Sequence, residues 1–164
     1  IHMKSISFKP IGFVRSPFKD LKDMPIQPLG GKGVKGTIEL ELEHIEGLKD
    51  LDQFSHITLL YHFHEMKHAR LRVTPFLDTE ERGVFSTRAP SRPNPIGLST
   101  VQLLKIEGHI LFIEDVDVLD GTPILDIKPF VPAFDHRDNC TTGWLSNTAA
   151  RSKSLKSDGR FEQT

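Results

Sequence analysis

The residues best suited to chemistry lie in one proline-rich segment, residues 83–97. Arg88 and Arg92 flank a proline there, and Asn94 lies between two prolines. Proline restricts the backbone, so this loop loses little conformational freedom on binding and holds its side chains at fixed angles. A guanidinium held in this way suits recognition of a phosphate, a carboxylate or a nucleobase. The alternative is a structural turn whose arginines pair with surface acids, which stabilises a fold only slightly.

Two histidines separated by one residue form a second candidate. His62 and His64 fall in a run of β-branched and aromatic residues that predicts a strand over residues 56–64. Side chains on a strand repeat every two residues, so both imidazoles would share one face and could form half of a metal site. The later histidines, His109 and His136, lack a comparable setting. We therefore predict no metal site and favour a packing or substrate-edge role for His62.

Two glycine-containing segments have simpler interpretations. Residues 30–33 lack both the Gly-x-Gly-x-x-Gly spacing and the Lys-Ser/Thr that closes a P-loop, so we interpret them as a mobile surface loop. Asp120 and Gly121 are typical of a hairpin turn. A binding role for Asp120 is compatible with that turn, because sites are often built on turns. No sequence feature indicates a Rossmann-type domain.

Most of the predicted secondary-structure elements that position these residues are strands. Apolar and polar side chains alternate over residues 37–43. A hairpin is predicted from residues 101–107 and 110–118, and a further short strand from residues 125–130. One short helix is predicted over residues 47–53. No segment keeps helical periodicity over a dozen residues, which favours a mainly all-β barrel or sandwich with long ordered loops.

Composition excludes several classes of protein. The chain has 164 residues, with 21 Lys and Arg against 22 Asp and Glu, so it is not a polybasic nucleic-acid coat. Residues 1–38 nevertheless carry seven basic and two acidic side chains, and residues 39–60 carry one and six. A basic face that receives a single RNA loop is compatible with this distribution. No apolar run approaches the roughly 20 residues of a membrane span.

Three regions are predicted along the chain. Residues 1–3 contain an Ile-His pair before Met3, which we interpret as an expression-tag remnant and start. Residues 4–150 form one domain. Residues 151–164 are rich in Ser and Lys and predict a flexible tail. The single Cys140 and the absence of a signal-peptide pattern indicate a reducing, cytoplasmic location.

Four blocks of the sequence resemble the TsaA-like family, which includes the TrmO tRNA methyltransferases. The blocks are residues 11–18, residues 54–56 with 63–64, residues 83–97 and residues 117–130, in the family's order. The resemblance extends over about residues 6–145. It is strongest to the compact archaeal form, in which residues 143–145 follow the barrel, whereas bacterial tRNA-modifying members have an extra C-terminal domain.

The resemblance implies a fold and a set of binding residues. The fold is a small single-sheet β-barrel that forms homodimers and binds S-adenosylmethionine. The implied cofactor-binding residues are Gln27, Pro28, Leu29, His64, Glu65, Arg88, Ile96, Leu98, Asp120, Gly121, Thr122 and Pro123. Arg88 would hold the carboxylate of the cofactor, and Asp120 would accept from its ribose hydroxyls or ammonium. Arg92 and Asn94 are assigned to the substrate.

The implied activity is methylation of tRNA. Characterised bacterial members transfer a methyl group to N6 of N6-threonylcarbamoyladenosine beside the anticodon, so the partner is the tRNA anticodon loop, with no membrane involved. No catalytic base is assigned; His64, Glu65 and Asp120 are the candidates. Two alternatives stay open. One is a non-catalytic module that binds S-adenosylmethionine or a nucleotide, and the other is a metal-dependent β-barrel enzyme that uses His62 and His64.

Overall fold

Six strands of the chain close into a barrel in the order β1-β2-β7-β6-β3-β8, and every neighbouring pair is antiparallel. The computed structural model describes residues 1–25, 28–76 and 78–146. Strands β4 and β5 form a separate two-stranded sheet. The strands are β1 (Gly12–Arg15), β2 (Lys35–Leu40), β3 (His56–His62), β4 (Arg72–Val73), β5 (Arg82–Gly83), β6 (Ile96–Glu107), β7 (Ile110–Glu114) and β8 (Pro123–Pro129). The prediction of a mainly all-β, single-sheet barrel is confirmed.

Helical structure is confined to short segments among the described residues. The α-helix, α1, covers Pro132–Asp135. The 3₁₀ turns are Leu21–Asp23, Pro28–Gly31, Leu42–Leu48, Leu51–Gln53, Val84–Ser86 and Gly143–Leu145. The single short helix predicted over residues 47–53 is instead the end of one 3₁₀ turn followed by a second. Lys49 and Asp50 separate the two turns, and Asp50 interrupts the winding because its φ of 68° lies in the left-handed region.

Several strands begin or end away from their predicted bounds. The strand predicted over residues 37–43 ends at Leu40, because a 3₁₀ turn starts at Leu42. The hairpin is confirmed, but β7 ends at Glu114, since Asp115 has a φ of 70° and turns the chain. Strand β6 begins five residues earlier than its predicted start, at Ile96. Alternation alone does not detect such limits, because it continues into turns.

The barrel interior is filled by the inward-facing side chains of the strands. Residues of β3 alternate strictly between buried and half-buried positions, as expected for a strand with one face on a core. The largest fully buried apolar side chains of this core are Ile38, Ile57, Leu59, Leu111, Ile113, Ile124, Val14, Val101, Val116 and Val118. Each buried aliphatic side chain of this size contributes roughly 1.5–3 kcal/mol relative to an exposed one. This apolar core fixes the positions of the loops at the barrel ends.

Gly97 leaves room for two aromatic rings, Tyr61 of the neighbouring strand and Phe63 just after it. It pairs with Tyr61 across β3 and β6, and a Cβ on it would overlap the Tyr61 ring and lie 2.8 Å from Cζ of Phe63. We predict that Gly97→Ala lowers the free energy of unfolding by about 2 kcal/mol, because these rings must move. Urea denaturation measures the change. Gly83→Ala is the matched control, since its Cβ would meet nothing within 4 Å; equal losses in the two variants would contradict this account.

Candidate cofactor-binding site

The loops that carry the predicted site residues lie at one end of the barrel. The ladder pairs Arg15 with Thr37, Lys35 with Glu114, and His62 with Ile96. These registers bring the carboxyl ends of β1, β3 and β7 beside the amino ends of β2, β6 and β8. We call this the loop end of the barrel. Rigid strands with loops at one end are a common arrangement for binding sites.

Every predicted site residue that the structure describes belongs to the loop end. Most lie in four connections: the 3₁₀ turn Pro28–Gly31 before β2, the turn after β3, the segment leading into β6, and the turn before β8; Ile96 and Leu98 begin β6, and Pro123 begins β8. The residues are Pro28, Leu29, His64, Glu65, Arg88, Arg92, Asn94, Ile96, Leu98, Asp120, Gly121, Thr122 and Pro123. Gln27 lies outside the described residues. Positions far apart in sequence are therefore brought to one end by the barrel closure.

A buried polar cluster at this end was not anticipated from the sequence. Tyr61, Ser99 and Asp117 are 6%, 1% and 9% exposed. The Tyr61 hydroxyl lies 2.8 Å from Oγ of Ser99, and the Ser99 hydroxyl acts to lower the pKa of the Asp117 carboxyl. A signal was present, because Tyr61 is the only tyrosine and Asp117 interrupts an apolar run between two valines. A polar residue buried among apolar neighbours often has a functional role.

The carboxyl group of Asp117 has the most perturbed environment of the described acids. Burial raises its pKa from 3.8 to about 6, although Ser99 and the charge of Arg88 act in the opposite direction. Its Oδ1 is buried without a hydrogen-bond partner in the protein. A buried acceptor of this kind is costly unless a ligand satisfies it. Asp117 is thus suited to accept a hydrogen bond from a cationic group of a bound molecule.

Tyr61 contributes a hydroxyl rather than a phenolate. Burial and the nearby charge of Asp117 raise its pKa, so it stays protonated and donates or accepts a hydrogen bond with Ser99. We predict that Tyr61→Phe lowers the free energy of unfolding by about 1 kcal/mol, since a buried hydrogen bond is lost. A double-mutant cycle with Ser99→Ala measures the pairwise part. Strictly additive losses would show that the two hydroxyls do not interact.

Asp120 is already engaged within the protein. Its Oδ1 accepts from the Ser16 amide at 3.0 Å, and its Oδ2 pairs with Nζ of Lys19 at 2.9 Å. Burial acts to raise its pKa, but the bonds from Lys19 and Ser16 and the charge of Arg15 outweigh it and lower the pKa. Asp120 therefore fastens the turn before β8 to the segment after β1. Each carboxylate oxygen can accept more than one hydrogen bond, so a further donor is compatible with these contacts.

Backbone hydrogen bonds hold the turn over residues 120–123. Gly121 has a φ of 80°, which suits glycine, and its amide donates to the Val14 carbonyl at 2.8 Å. The Asp120 amide donates to the carbonyl of Phe18 at 2.8 Å. The Thr122 hydroxyl donates to the Leu119 carbonyl at 2.7 Å. The predicted turn is thus rigid and presents its remaining backbone groups at fixed positions.

The two arginines of the proline-rich loop have different environments. Nη1 of Arg92 donates to the carbonyls of Thr87 and Ala89 at 2.9 and 3.0 Å, so this guanidinium braces the loop itself. Arg88 is exposed, and its charge acts on both Tyr61 and Asp117. Ser91, between the two arginines in sequence, is 3% exposed, and its Oγ has no hydrogen-bond partner in the protein. The loop therefore holds Arg88 beside the buried polar cluster.

The two histidines do not share a strand face. Strand β3 ends at His62, and the next amide, that of Phe63, donates to the carbonyl of Pro95 at 2.8 Å. His64 lies in the following turn, where its Nε2 is 3.5 Å from Oε1 of Glu65. The expectation that both imidazoles lie on one face is wrong, because the strand stops before the second one. Among the described residues, no group of three or more His, Cys, Asp or Glu side chains could hold a metal ion.

The glycine-rich segment packs against the chain that leads to Asp117. Gly31 is buried, and a Cβ on it would lie 2.7 Å from the carbonyl carbon of Val116 and 3.1 Å from the Asp117 amide nitrogen. The amide of Gly33 donates to Oδ1 of Asp115 at 2.8 Å. The expected surface position holds for Lys32 and Gly33, which are exposed, whereas Gly31 is buried. This close backbone approach brings the 3₁₀ turn Pro28–Gly31 against the chain segment that carries Asp117.

Comparison with known proteins gives a consistent result. The model of the tRNA-methyltransferase O N-terminal domain (TrmO_N) matches residues 13–136. A probable S-adenosyl-L-methionine-binding protein of Pyrococcus abyssi is 53% identical over 156 residues, which cover 95% of this chain and 85% of the relative. The tRNA (adenine(37)-N6)-methyltransferase of Escherichia coli is 33% identical over 171 residues, which cover 98% and 73% of the two chains.

A solved structure shows the same architecture. The crystal structure of TrmO from Pseudomonas aeruginosa superposes with a TM-score of 0.71 at 39% sequence identity. The match covers 86% of this chain but only 63% of the solved one, so this chain spans less than two thirds of that protein. Sequence, family model and fold agree on one assignment. The chain belongs to the tRNA-methyltransferase O N-terminal domain family.

Proposed function

We propose that this protein binds S-adenosylmethionine at the loop end of the barrel and methylates an adenine of tRNA. The more specific form of the proposal is N6-methylation of N6-threonylcarbamoyladenosine beside the anticodon. The main observation in support of this proposal is the buried carboxyl of Asp117, whose Oδ1 has no hydrogen-bond partner in the protein. This carboxyl lies at the loop end, where the sequence blocks typical of the family also lie. The names of the Pyrococcus abyssi and Escherichia coli relatives support the cofactor and the substrate class.

The groups at the loop end fit the two charges of the cofactor's amino-acid part. A guanidinium binds a carboxylate through paired, charge-assisted hydrogen bonds, which suits the exposed Arg88. A buried carboxylate with one unpartnered oxygen suits an ammonium, and Oδ1 of Asp117 is such an oxygen, close to the charge of Arg88. We assign the carboxylate of S-adenosylmethionine to Arg88 and its ammonium to Asp117. The turn over residues 120–123 and the 3₁₀ turn Pro28–Gly31 would bound the rest of the molecule.

The chain's contribution to the reaction is binding and orientation. When bound, S-adenosylmethionine supplies a methyl group that is already activated by the sulfonium, so no protein nucleophile is needed. Orientation of the acceptor nitrogen can contribute up to about 7–11 kcal/mol in favourable cases. We propose Arg92 and Asn94 for contacts with the substrate, with Arg92 acting also through the loop that it braces. We assign no general base; His64, Glu65 and Asp120 stay candidates.

We further propose that the protein works as a homodimer in the cytoplasm. Ile96 and Leu98 are 41% and 46% exposed at the start of β6, beside the loop end, and an apolar partner surface would cover them. Sedimentation velocity at micromolar concentration tests this directly. A monomer at every concentration would contradict it. In the described residues, no helix has the length and apolar character that crossing a membrane requires.

Two measurements test the proposed function. Isothermal titration with S-adenosylmethionine should give saturable binding at one site per chain. Mass spectrometry of tRNA nucleosides from a strain lacking the gene should show loss of a methyl group from the modified adenosine, restored by the wild-type gene. Unchanged adenosine modification would refute the tRNA assignment, and absence of binding would refute the cofactor.

A second candidate is a protein that binds S-adenosylmethionine without catalysis. The observation in its favour is the name of the Pyrococcus abyssi relative, which mentions binding alone. Transfer of radiolabelled methyl groups to bulk tRNA separates the two. Tight cofactor binding with no transfer to tRNA from the deletion strain would favour the binding protein.

A further inference from the structure

A cationic segment lies next to the proline-rich loop and has no part in the cofactor site. We call residues 67–72 the basic strap; the segment reads Lys-His-Ala-Arg-Leu-Arg, and all six residues are exposed. Residues 66–77 contain no acidic side chain. The acids of the following segment pair with arginines: Asp78 and Glu80 pair with Arg82, and Glu81 pairs with Arg72 of the strap at 2.9 Å. Lys67 is exposed and takes part in none of these pairs, so the strap presents positive charge to solvent at this residue.

Backbone hydrogen bonds fasten the strap to the candidate site. The Arg70 amide donates to the carbonyl of Ser91 at 3.1 Å, and Ser91 lies between Arg88 and Arg92 in sequence. The carbonyl of Leu71 accepts from the Val84 amide at 2.9 Å. A charged segment held in this way loses little conformational freedom on binding, unlike a disordered basic tail. The strap is thus a surface segment held in place by backbone hydrogen bonds, at the loop end of the barrel.

An exposed aromatic ring accompanies the strap. Phe85 is 76% exposed in the 3₁₀ turn Val84–Ser86, and the Val84 amide binds the strap at Leu71. Trp144 fixes the other end of this turn, because its Nε1 donates to the Ser86 carbonyl at 2.9 Å. Leu71 is also 67% exposed. The Val84 amide thus joins two segments that each expose a large apolar side chain, and grouped apolar exposure with a polar rim marks an interaction surface.

We propose that the basic strap and Phe85 bind the RNA substrate outside the reacting nucleotide. Lys67 and its neighbours would contact backbone phosphates, and Phe85 would stack on an unpaired base of the loop. Single-stranded RNA is recognised by this combination of cations and aromatic faces. The inference rests on the proposed function, because it assigns a surface to that same substrate. It adds a binding region that the cofactor residues do not provide.

Filter binding of bulk tRNA at 50 and 200 mM NaCl tests the proposal with matched variants. Lys67→Glu should weaken tRNA binding roughly tenfold at the lower salt and reduce the salt slope by about one. Phe85→Ala should weaken binding roughly tenfold at both salt concentrations without changing the slope. The controls are Lys49→Glu, exposed in the acidic segment, and Phe134→Ala, whose ring is 69% exposed on α1.

Titration with S-adenosylmethionine accompanies every variant and should give affinities within twofold of wild type. If the strap variants bind tRNA as their controls do, the inference is wrong while the proposed function stands. If the wild type binds S-adenosylmethionine but neither binds nor methylates tRNA, the proposed substrate and the inference both fail. Weaker tRNA binding that is confined to Lys67→Glu and Phe85→Ala supports the surface.

Discussion

Replacing Asp117 with asparagine is expected to stabilise the protein at neutral pH and to weaken its binding of S-adenosylmethionine. A carboxyl whose pKa rises from 3.8 when unfolded to about 6 when folded costs the native state roughly 3 kcal/mol once both forms are ionised. This cost is absent below pH 3.8, grows as the pH rises and is complete above about pH 6. Asparagine carries no charge and avoids it.

Urea denaturation at pH 4, 5.5 and 7 measures the stability part of this prediction. The variant should match the wild type at pH 4 and exceed it by up to about 3 kcal/mol at pH 7. Asp126→Asn is the control, since that carboxylate is about half exposed and pairs with Lys128. A stability difference between Asp117→Asn and wild type that does not change with pH would show that the carboxyl titrates normally.

Binding should change in the opposite direction. Loss of the charged acceptor is expected to raise the dissociation constant for S-adenosylmethionine roughly 10- to 100-fold at pH 7, since hydrogen bonds to charged groups contribute about 1.5–3 kcal/mol. The wild-type affinity should also increase as the pH rises through about 6, because the ionised carboxylate holds the ammonium. The variant should lack this dependence. Equal affinities at pH 7 would remove Asp117 from the site.

Replacing Arg88 with alanine is the second change with a large expected effect. We expect the affinity for S-adenosylmethionine to fall roughly 10- to 100-fold, because a paired guanidinium–carboxylate contact is among the strongest hydrogen-bonded interactions. The thermal midpoint should stay near that of wild type, since Arg88 is exposed. Isothermal titration measures the affinity, and transfer of labelled methyl groups to tRNA should fall in parallel.

Two further variants serve as controls for Arg88→Ala. Arg88→Lys keeps the charge but loses the paired geometry, so it should restore only part of the affinity. Arg137→Ala removes an arginine from an exposed loop, where its Nη1 donates to Phe134 and His136, and should leave binding unchanged. If Arg88→Ala binds as tightly as Arg137→Ala, the cofactor carboxylate is held elsewhere.

The sequence predicted the architecture better than the details of the site. Strand alternation and the hairpin over residues 101–118 led to the mainly β fold, because period-two burial is a local property. The strand limit at His62 was missed, since it depends on where the pairing with β6 ends, at Ile96, over thirty residues away. The packing of Gly31 on Val116 was missed for the same reason. Contacts between distant segments leave little trace in local patterns.

The sequence by itself determined that this is a mainly β member of the tRNA-methyltransferase O N-terminal domain family. It also predicted Arg88 and Asp120 as cofactor-binding residues. Only the tertiary structure decided which of the predicted site side chains already have hydrogen-bond partners within the protein. Asp120 and Arg92 largely hold the loops, whereas Asp117 is buried with an unpartnered oxygen. The physical reason is that burial and hydrogen-bond satisfaction depend on how the closed barrel brings distant strand ends together.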